Sequence, residues 1–132
     1  MEVERIDHLV LTVSDVEETA RFYSEVLGMR AVTFGEGRRA LAFGGQKINL
    51  HQTGSEFEPK AARPASGSAD FCLITRIPLG EVMEHLTEHG VEVLQGPEEK
   101  IGALGPMESI YFRDPDGNLV EISRYPRDGG DT

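Results

Sequence analysis

One order of hydrophobic and polar positions occurs twice along the chain. Leu9, Leu11 and Val13 alternate with His8, Val10 and Thr12, the period of two expected of a half-buried strand. Val16, Ala20, Tyr23 and Leu27 then recur at helical spacing and run into Gly28. Three short strand-like runs follow at 31–34, 40–43 and 47–51, separated by Gly35-Glu36-Gly37-Arg38 and by Gly44-Gly45. The second half restarts the series. Phe71 and Leu73 alternate with Asp70, Cys72 and Ile74; Leu79, Val82, Met83 and Leu86 carry the helical period up to Gly90; strands are predicted at 91–94, 109–112 and 118–123.

The two series align at an offset of 62 residues, which lays His8 on Asp70 and Gly28 on Gly90. Ser14-Asp15-Val16-Glu17 reads as a capping box opening the first helix, and both glycines suit the left-handed residue that closes one. Asp114-Pro115-Asp116-Gly117 is a turn. The expected class is therefore α+β. Within one domain spanning 1–132, two β-α-β-β-β modules, 5–53 and 68–125, flank a Gly-, Ser-, Pro- and Ala-rich loop at 54–67, and the tail from Pro126 is expected to fray.

One helix covers only one face of a four-stranded sheet, so alternate strand residues must face elsewhere. On that open face the pattern places His8, Val10 and Thr12; Lys47, Asn49 and His51; Asp70, Cys72 and Ile74; and Glu121 with Ser123. Ionisable and amide groups thus project from the first and last strand of each module.

Composition narrows what these groups can do. The single cysteine, Cys72, excludes an internal disulfide and a cysteine cluster, so a metal site must be built from His, Asp, Glu and amides. With 23 acidic against 13 basic residues the formal charge is −10, and the bases form no stripe, which argues against nucleic acid and anionic membranes as partners. No stretch approaches the roughly 18 apolar residues of a membrane span, and the first residues lack a signal-peptide core, so a cytoplasmic location is the default. His85 and His89 lie four apart on the second helix without a third ligand and read as surface residues.

The duplicated β-α-β-β-β pattern resembles the vicinal oxygen chelate superfamily, the glyoxalase, bleomycin-resistance and dioxygenase group. The likeness runs from Ile6 to Ser123. It is carried most specifically by Asp7-His8-Leu9-Val10-Leu11-Thr12-Val13, by Phe22-Tyr23-Ser24-Glu25-Val26-Leu27-Gly28-Met29, and by the segment from Tyr111 through Asp114-Pro115-Asp116-Gly117 to Ile122. Lys47-Ile48-Asn49-Leu50-His51, Glu56-Phe57-Glu58-Pro59-Lys60-Ala61-Ala62 and Cys72-Leu73-Ile74-Thr75 are especially similar to the glyoxalase domain-containing protein 5 subgroup. The resemblance implies two modules forming a cupped mixed sheet with the helices outside. It also implies one divalent ion, Mn, Fe(II), Ni, Zn or Mg, held by residues of the first and last strands.

Those positions are His8, Asn49, Asp70 and Glu121. His8 and Glu121 match the usual ligands, whereas Asp70 stands where a second His is common and Asn49 where a Glu or Gln is common. His51 becomes an alternative ligand if its strand is displaced by one pleat. Tyr111 occupies the place of a cavity tyrosine in ring-cleaving members, so Tyr111 and His51 are the candidate catalytic groups. The implied function is a metal-dependent enzyme acting on a small substrate with vicinal oxygens, by isomerase or lyase chemistry or by extradiol-type dioxygenation. The alternative is a non-catalytic binding protein of the bleomycin-resistance type. A homodimer is expected, since members of two modules commonly complete their cups by pairing.

Overall fold

The computed structural model describes residues 1–126 and resolves them into two units, Met1–Ala69 with Pro115–Gly117, and Asp70–Asp114 with the chain from Asn118 onward. The first unit runs β1 (His8–Val13), α1 (Val16–Leu27), β2 (Arg30–Phe34), β3 (Arg38–Phe43) and β4 (Gln46–Gln52). The second repeats the order with β5 (Asp70–Ile74), α2 (Leu79–Glu88), β6 (Gln95–Gly102), β7 (Gly105–Arg113) and β8 (Leu119–Arg124). The α+β class is as expected from the pattern.

Each unit holds one four-stranded mixed sheet, ordered β1-β4-β3-β2 in the first and β5-β8-β7-β6 in the second. In both, the first strand pairs parallel with the last and the other pairings are antiparallel. The antiparallel neighbours need only short turns, whereas the parallel pairing of β1 with β4 needs the long crossover through α1, β2 and β3. First and last strands therefore become neighbours, which puts the two positions at issue in each unit on adjacent strands.

The alternation assigned from sequence holds. Leu11, Val13, Leu41, Ile48 and Leu50 are buried with Ala20, Tyr23 and Val26 of α1, while His8 and Val10 are exposed. Ile110, Phe112, Val120 and Ile122 form the corresponding buried set of the second sheet, and α2 turns Leu79 and Leu86 inward. Burying each such side chain contributes about 1.5–3 kcal/mol. The apolar stripe of α1 is centred slightly differently from the expected one: Thr19 and Val26 complete it with Ala20 and Tyr23, and Val16 and Leu27 lie at its margins.

Two local expectations are corrected. The N-cap of α1 is Asp15, whose carboxylate accepts from the Glu18 amide at 3.1 Å; Ser14 instead donates its amide (3.2 Å) and its hydroxyl to the Asp116 carboxylate. Gly28 closes the helix at φ 68° as expected, and Gly90, at φ 70°, follows α2. The second strand of the second half is Gln95–Gly102 rather than 91–94. Residues 91–94 are spent leaving α2, the Val91 amide bonding Leu86 O at 2.9 Å, and reach the sheet only through the Leu94 amide on Tyr111 O at 2.8 Å. The edge strand that follows carries a register shift between Gln95 and Glu98, where Pro97 needs no ladder partner. Gly96 has φ +101°, and a Cβ there would collide with the Ser109 carbonyl oxygen.

No helix among the described residues is long and apolar enough to cross a membrane. Apart from Pro126, the expected frayed tail lies outside the described residues.

Candidate functional site

The pairing register ties the candidate residues together within each sheet. On β1 and β4 His8 lies opposite Lys47, so Asn49 is two residues further along the same face. On β5 and β8 Asp70 lies opposite Leu119, so Glu121 is likewise two residues further along. The diagonal pairs His8/Asn49 and Asp70/Glu121 thus hold equivalent places in the two sheets, one strand apart and roughly 7 Å along it. His51, opposite Thr12, is four residues beyond Lys47, roughly 13 Å along the strand. The β1–β4 ladder is continuous from His8↔Lys47 to Val13↔Gln52, and the one-pleat displacement that would move His51 to the Asn49 position is absent.

In the first unit His8 is exposed, with Nδ1 2.8 Å from the Asp7 carboxylate, which leaves Nε2 as the ring nitrogen without a partner among the described residues. Asn49 Oδ1 is buried and has no hydrogen-bond partner among the described residues. An orphaned acceptor of this kind costs about 1–3 kcal/mol unless a donor or cation meets it. His51 is only 6% exposed and lies edge-on to Phe57, ring centroids 5.6 Å apart. Burial, and behind it the Arg38 guanidinium, hold its imidazole below the ordinary histidine value against an upward pull from Glu56, so the ring is neutral near pH 7.

In the second unit Glu121 is held by its neighbours. The Ser123 hydroxyl donates to Glu121 Oε2 at 3.2 Å and lies 2.6 Å from the Ser109 hydroxyl, both serines being fully buried. Cys72 Sγ is 3.1 Å from Ser123 Oγ, and partial burial chiefly, with the Glu121 charge, pushes the thiol up, opposed by the serine. Tyr111 faces Glu121 across the β7–β8 ladder; burial first, then the Glu121 charge and hydrogen bond, push its phenol up. Lys100 pairs with Glu98 at 2.9 Å and stands 5.7 Å from the Tyr111 ring. Asp70 is exposed at the start of its strand.

Among the described residues no three His, Cys, Asp or Glu side chains converge on one point. What the sheets provide is two equivalent pairs. The first unit's pair offers an imidazole nitrogen and an amide oxygen, the second unit's pair two carboxylates, none of them sulfur, which is donor chemistry of the kind that suits Mn, Mg or Fe(II); the Asn49 oxygen, without a partner among the described residues, fits a cation. Sequence reasoning placed Ser123 on the open face but gave neither it nor Ser109 a role, because nothing local shows that two serines 14 residues apart share a bond. Arg38, Phe34 and Phe57 were also missed. Arg38 lies in a predicted turn and Phe57 in a predicted loop, and the pattern assigns no face to either.

With this geometry in view, comparison with known proteins is specific. Virulence protein STM3117 of Salmonella typhimurium is 59% identical over 125 residues, covering 95% of this chain and 87% of that protein. Its crystal structure matches with a TM-score of 0.93, covering 95% of this chain and 99% of the other. The glyoxalase domain-containing protein RDO1 of Mycosarcoma maydis is 52% identical over 95% of this chain and 70% of its own length. More distantly, the metallothiol transferase FosB of Shouchella clausii is 29% identical, over 91% of this chain and 80% of that protein. The sequence profile of one superfamily matches residues 5–122, nearly the whole chain, and the protein belongs to that superfamily, Glyoxalase/Bleomycin resistance protein/Dioxygenase.

Proposed function

We propose that the protein is a divalent-metal-dependent enzyme that acts on a small substrate with two adjacent oxygens, by lyase or isomerase chemistry or by ring-cleaving dioxygenation. The observation that carries this reading is the equivalence of the diagonal pairs His8/Asn49 and Asp70/Glu121, one of which includes a buried oxygen with no partner among the described residues. His8, Asp70 and Glu121 would hold the ion, with Asn49 rather than His51 as the fourth protein donor. Two carboxylates would offset most of a divalent charge and favour Mn, Mg or Fe(II) over a soft metal. When bound, such an ion supplies Lewis acidity to two neighbouring oxygens.

The chain's own groups divide the remaining work. Ser123, backed by Ser109, orients the Glu121 carboxylate by donating to Oε2. Tyr111, protonated at neutral pH, presents a hydroxyl beside Glu121 that can donate to a substrate oxygen. His51, neutral and shielded by Phe57, is suited to accept a proton from substrate. The further reading is a homodimer acting in the cytoplasm.

The test is electron paramagnetic resonance of chelator-treated protein titrated with Mn(II), followed by acetohydroxamate, a bidentate oxygen ligand. The reading predicts a bound Mn(II) signal that acetohydroxamate changes saturably. A spectrum of free Mn(II) throughout, or a bound signal indifferent to acetohydroxamate, contradicts it.

A further inference from the structure

The open face of the first sheet has a charge opposite to that of the chain. Although the protein carries −10 overall, no open-face strand position of this sheet is Asp or Glu, while three, Arg30, Arg38 and Lys47, are cations. None of the three makes an ion pair with a carboxylate among the described residues. Two acids whose charge reaches this face, Asp7 toward Lys47 and Glu56 toward His51, are already engaged: Asp7 by His8 at 2.8 Å, and Glu56 by Lys60 at 3.6 Å and by the Gly54 amide at 2.9 Å.

Two of these cations are held in place by aromatic rings rather than by counter-ions. Arg38 Cζ lies 4.3 Å from the Phe57 ring centre and 5.8 Å from that of Phe34, and Lys47 Nζ lies 3.9 Å from the Phe34 ring. Both side chains are half-buried. Stacking on a ring contributes only about 0.5–2 kcal/mol and leaves every N–H donor of the head group free. The Asp7 carboxylate acts on Lys47 across space, but neither Arg38 nor Lys47 has a carboxylate in ion-pair contact among the described residues, which leaves both head groups able to receive a ligand that brings the charge. Beside them stands His51, 94% buried by its 6% exposure and without a hydrogen-bond partner among the described residues, in contact with the same Phe57 ring. An imidazole with no protein hydrogen-bond partner among the described residues, next to a guanidinium fork, adds a neutral donor or acceptor to the same corner of the sheet.

We infer that Arg38 and Lys47, braced by Phe34 and Phe57 and flanked by His51, form a binding site for an oxyanion, so that the substrate is an acid bearing a carboxylate or phosphate group. The guanidinium of Arg38 offers two parallel donors to such a group, and Lys47 adds a point charge. Calling the anion a part of the substrate rests on the function proposed above; the site itself does not, because none of its residues is among the four proposed ligands and it can be tested without metal.

The experiment is calorimetric titration of chelator-treated protein with succinate and, separately, inorganic phosphate, with succinamide as the uncharged control. Arg38→Gln and Lys47→Gln are compared with Arg21→Gln, an exposed arginine of α1 that controls for overall charge. Saturable binding of succinate or phosphate is expected, with no response to succinamide. It should weaken at least about tenfold in Arg38→Gln and Lys47→Gln, recover in part in Arg38→Lys, and be unchanged in Arg21→Gln. Whichever anion binds more tightly identifies the group. Binding of neither anion, equal binding of succinamide, or equal weakening in Arg21→Gln overturns the inference. Loss of Mn(II) binding with anion binding intact would instead refute the metal reading and leave this one standing.

Discussion

Replacing Ser123 by Ala removes one oxygen that three groups share. Ser123 Oγ donates to Glu121 Oε2 at 3.2 Å, meets Ser109 Oγ at 2.6 Å and lies 3.1 Å from Cys72 Sγ, at a residue with 0% exposure. The variant leaves the Ser109 hydroxyl, also at 0% exposure, with no partner among the described residues. Stranding a buried hydroxyl costs about 1–3 kcal/mol, and the lost bond to a charged acceptor adds to it. For a chain of 132 residues, about 2 kcal/mol lowers Tm by roughly 8 °C. Ser109→Ala alone should cost less, since Ser123 keeps its bond to Glu121. The double variant should cost less than the sum, because removing both hydroxyls leaves none stranded, and a coupling of about 1 kcal/mol is expected. Urea unfolding of the four proteins in metal-free buffer gives the cycle. Metal titration of the folded variants gives a second readout, with affinity falling roughly 10–100-fold in Ser123→Ala once Glu121 is no longer oriented. Strict additivity of the two substitutions, or wild-type stability in Ser123→Ala, would refute the shared-hydroxyl reasoning.

Three further outcomes are expected. Because the folded state holds the His51 pKa below its ordinary value of 6.5, the unfolded chain binds that proton first as pH falls. The stability this residue contributes is therefore full above about pH 6.5 and lost as pH drops toward the folded value, and His51→Gln should flatten that part of a melting-temperature profile; an unchanged slope would count against it. Gly96→Ala, at φ +101° and against the Ser109 carbonyl, should destabilise by at least about 2 kcal/mol, whereas Gly45→Ala, with open space around it, should cost under about 1 kcal/mol; equal melting temperatures would contradict the geometry. Tyr111→Phe should retain metal but lower turnover, measured once a substrate is in hand, and loss of metal together with turnover would show that the hydroxyl serves Glu121 alone.

The duplicated pattern made the fold legible because each signal was local: alternation for β1, β4, β5 and β8, helical spacing for α1 and α2, and a glycine after each helix. The corrections come where a distant partner outweighs local preference. Ser14 looks like a cap, but its donors go to Asp116, 102 residues away, and the cap passes to Asp15. Residues 91–94 have strand-like composition and Gln95–Gly102 does not. The edge position nevertheless went to the latter, since an edge strand needs partners on one side only and tolerates Gly96 and Pro97 at a bulge. At the candidate site, period-two alternation placed His8, Asn49, Asp70 and Glu121 on open faces. Sequence left Asp70, Asn49 and His51 as rivals for the third ligand, because it does not display the register of β4 on β1 that sets Asn49, and not His51, in the place equivalent to Glu121. The aromatic supports of Arg38 and Lys47 were hidden for a related reason: Phe57 reaches the sheet from a loop, where no periodicity reports which way a side chain turns.

The central claim, that the two diagonal pairs hold one divalent ion, is tested most directly by elemental analysis of protein purified without a histidine tag, beside His8→Ala and Glu121→Ala. The account predicts about one divalent ion per chain in the parent protein and little or none in either variant, with both variants still folded. A metal-free parent after equilibration with Mn, Fe(II), Ni, Zn and Mg, or full occupancy retained in both variants, would contradict it.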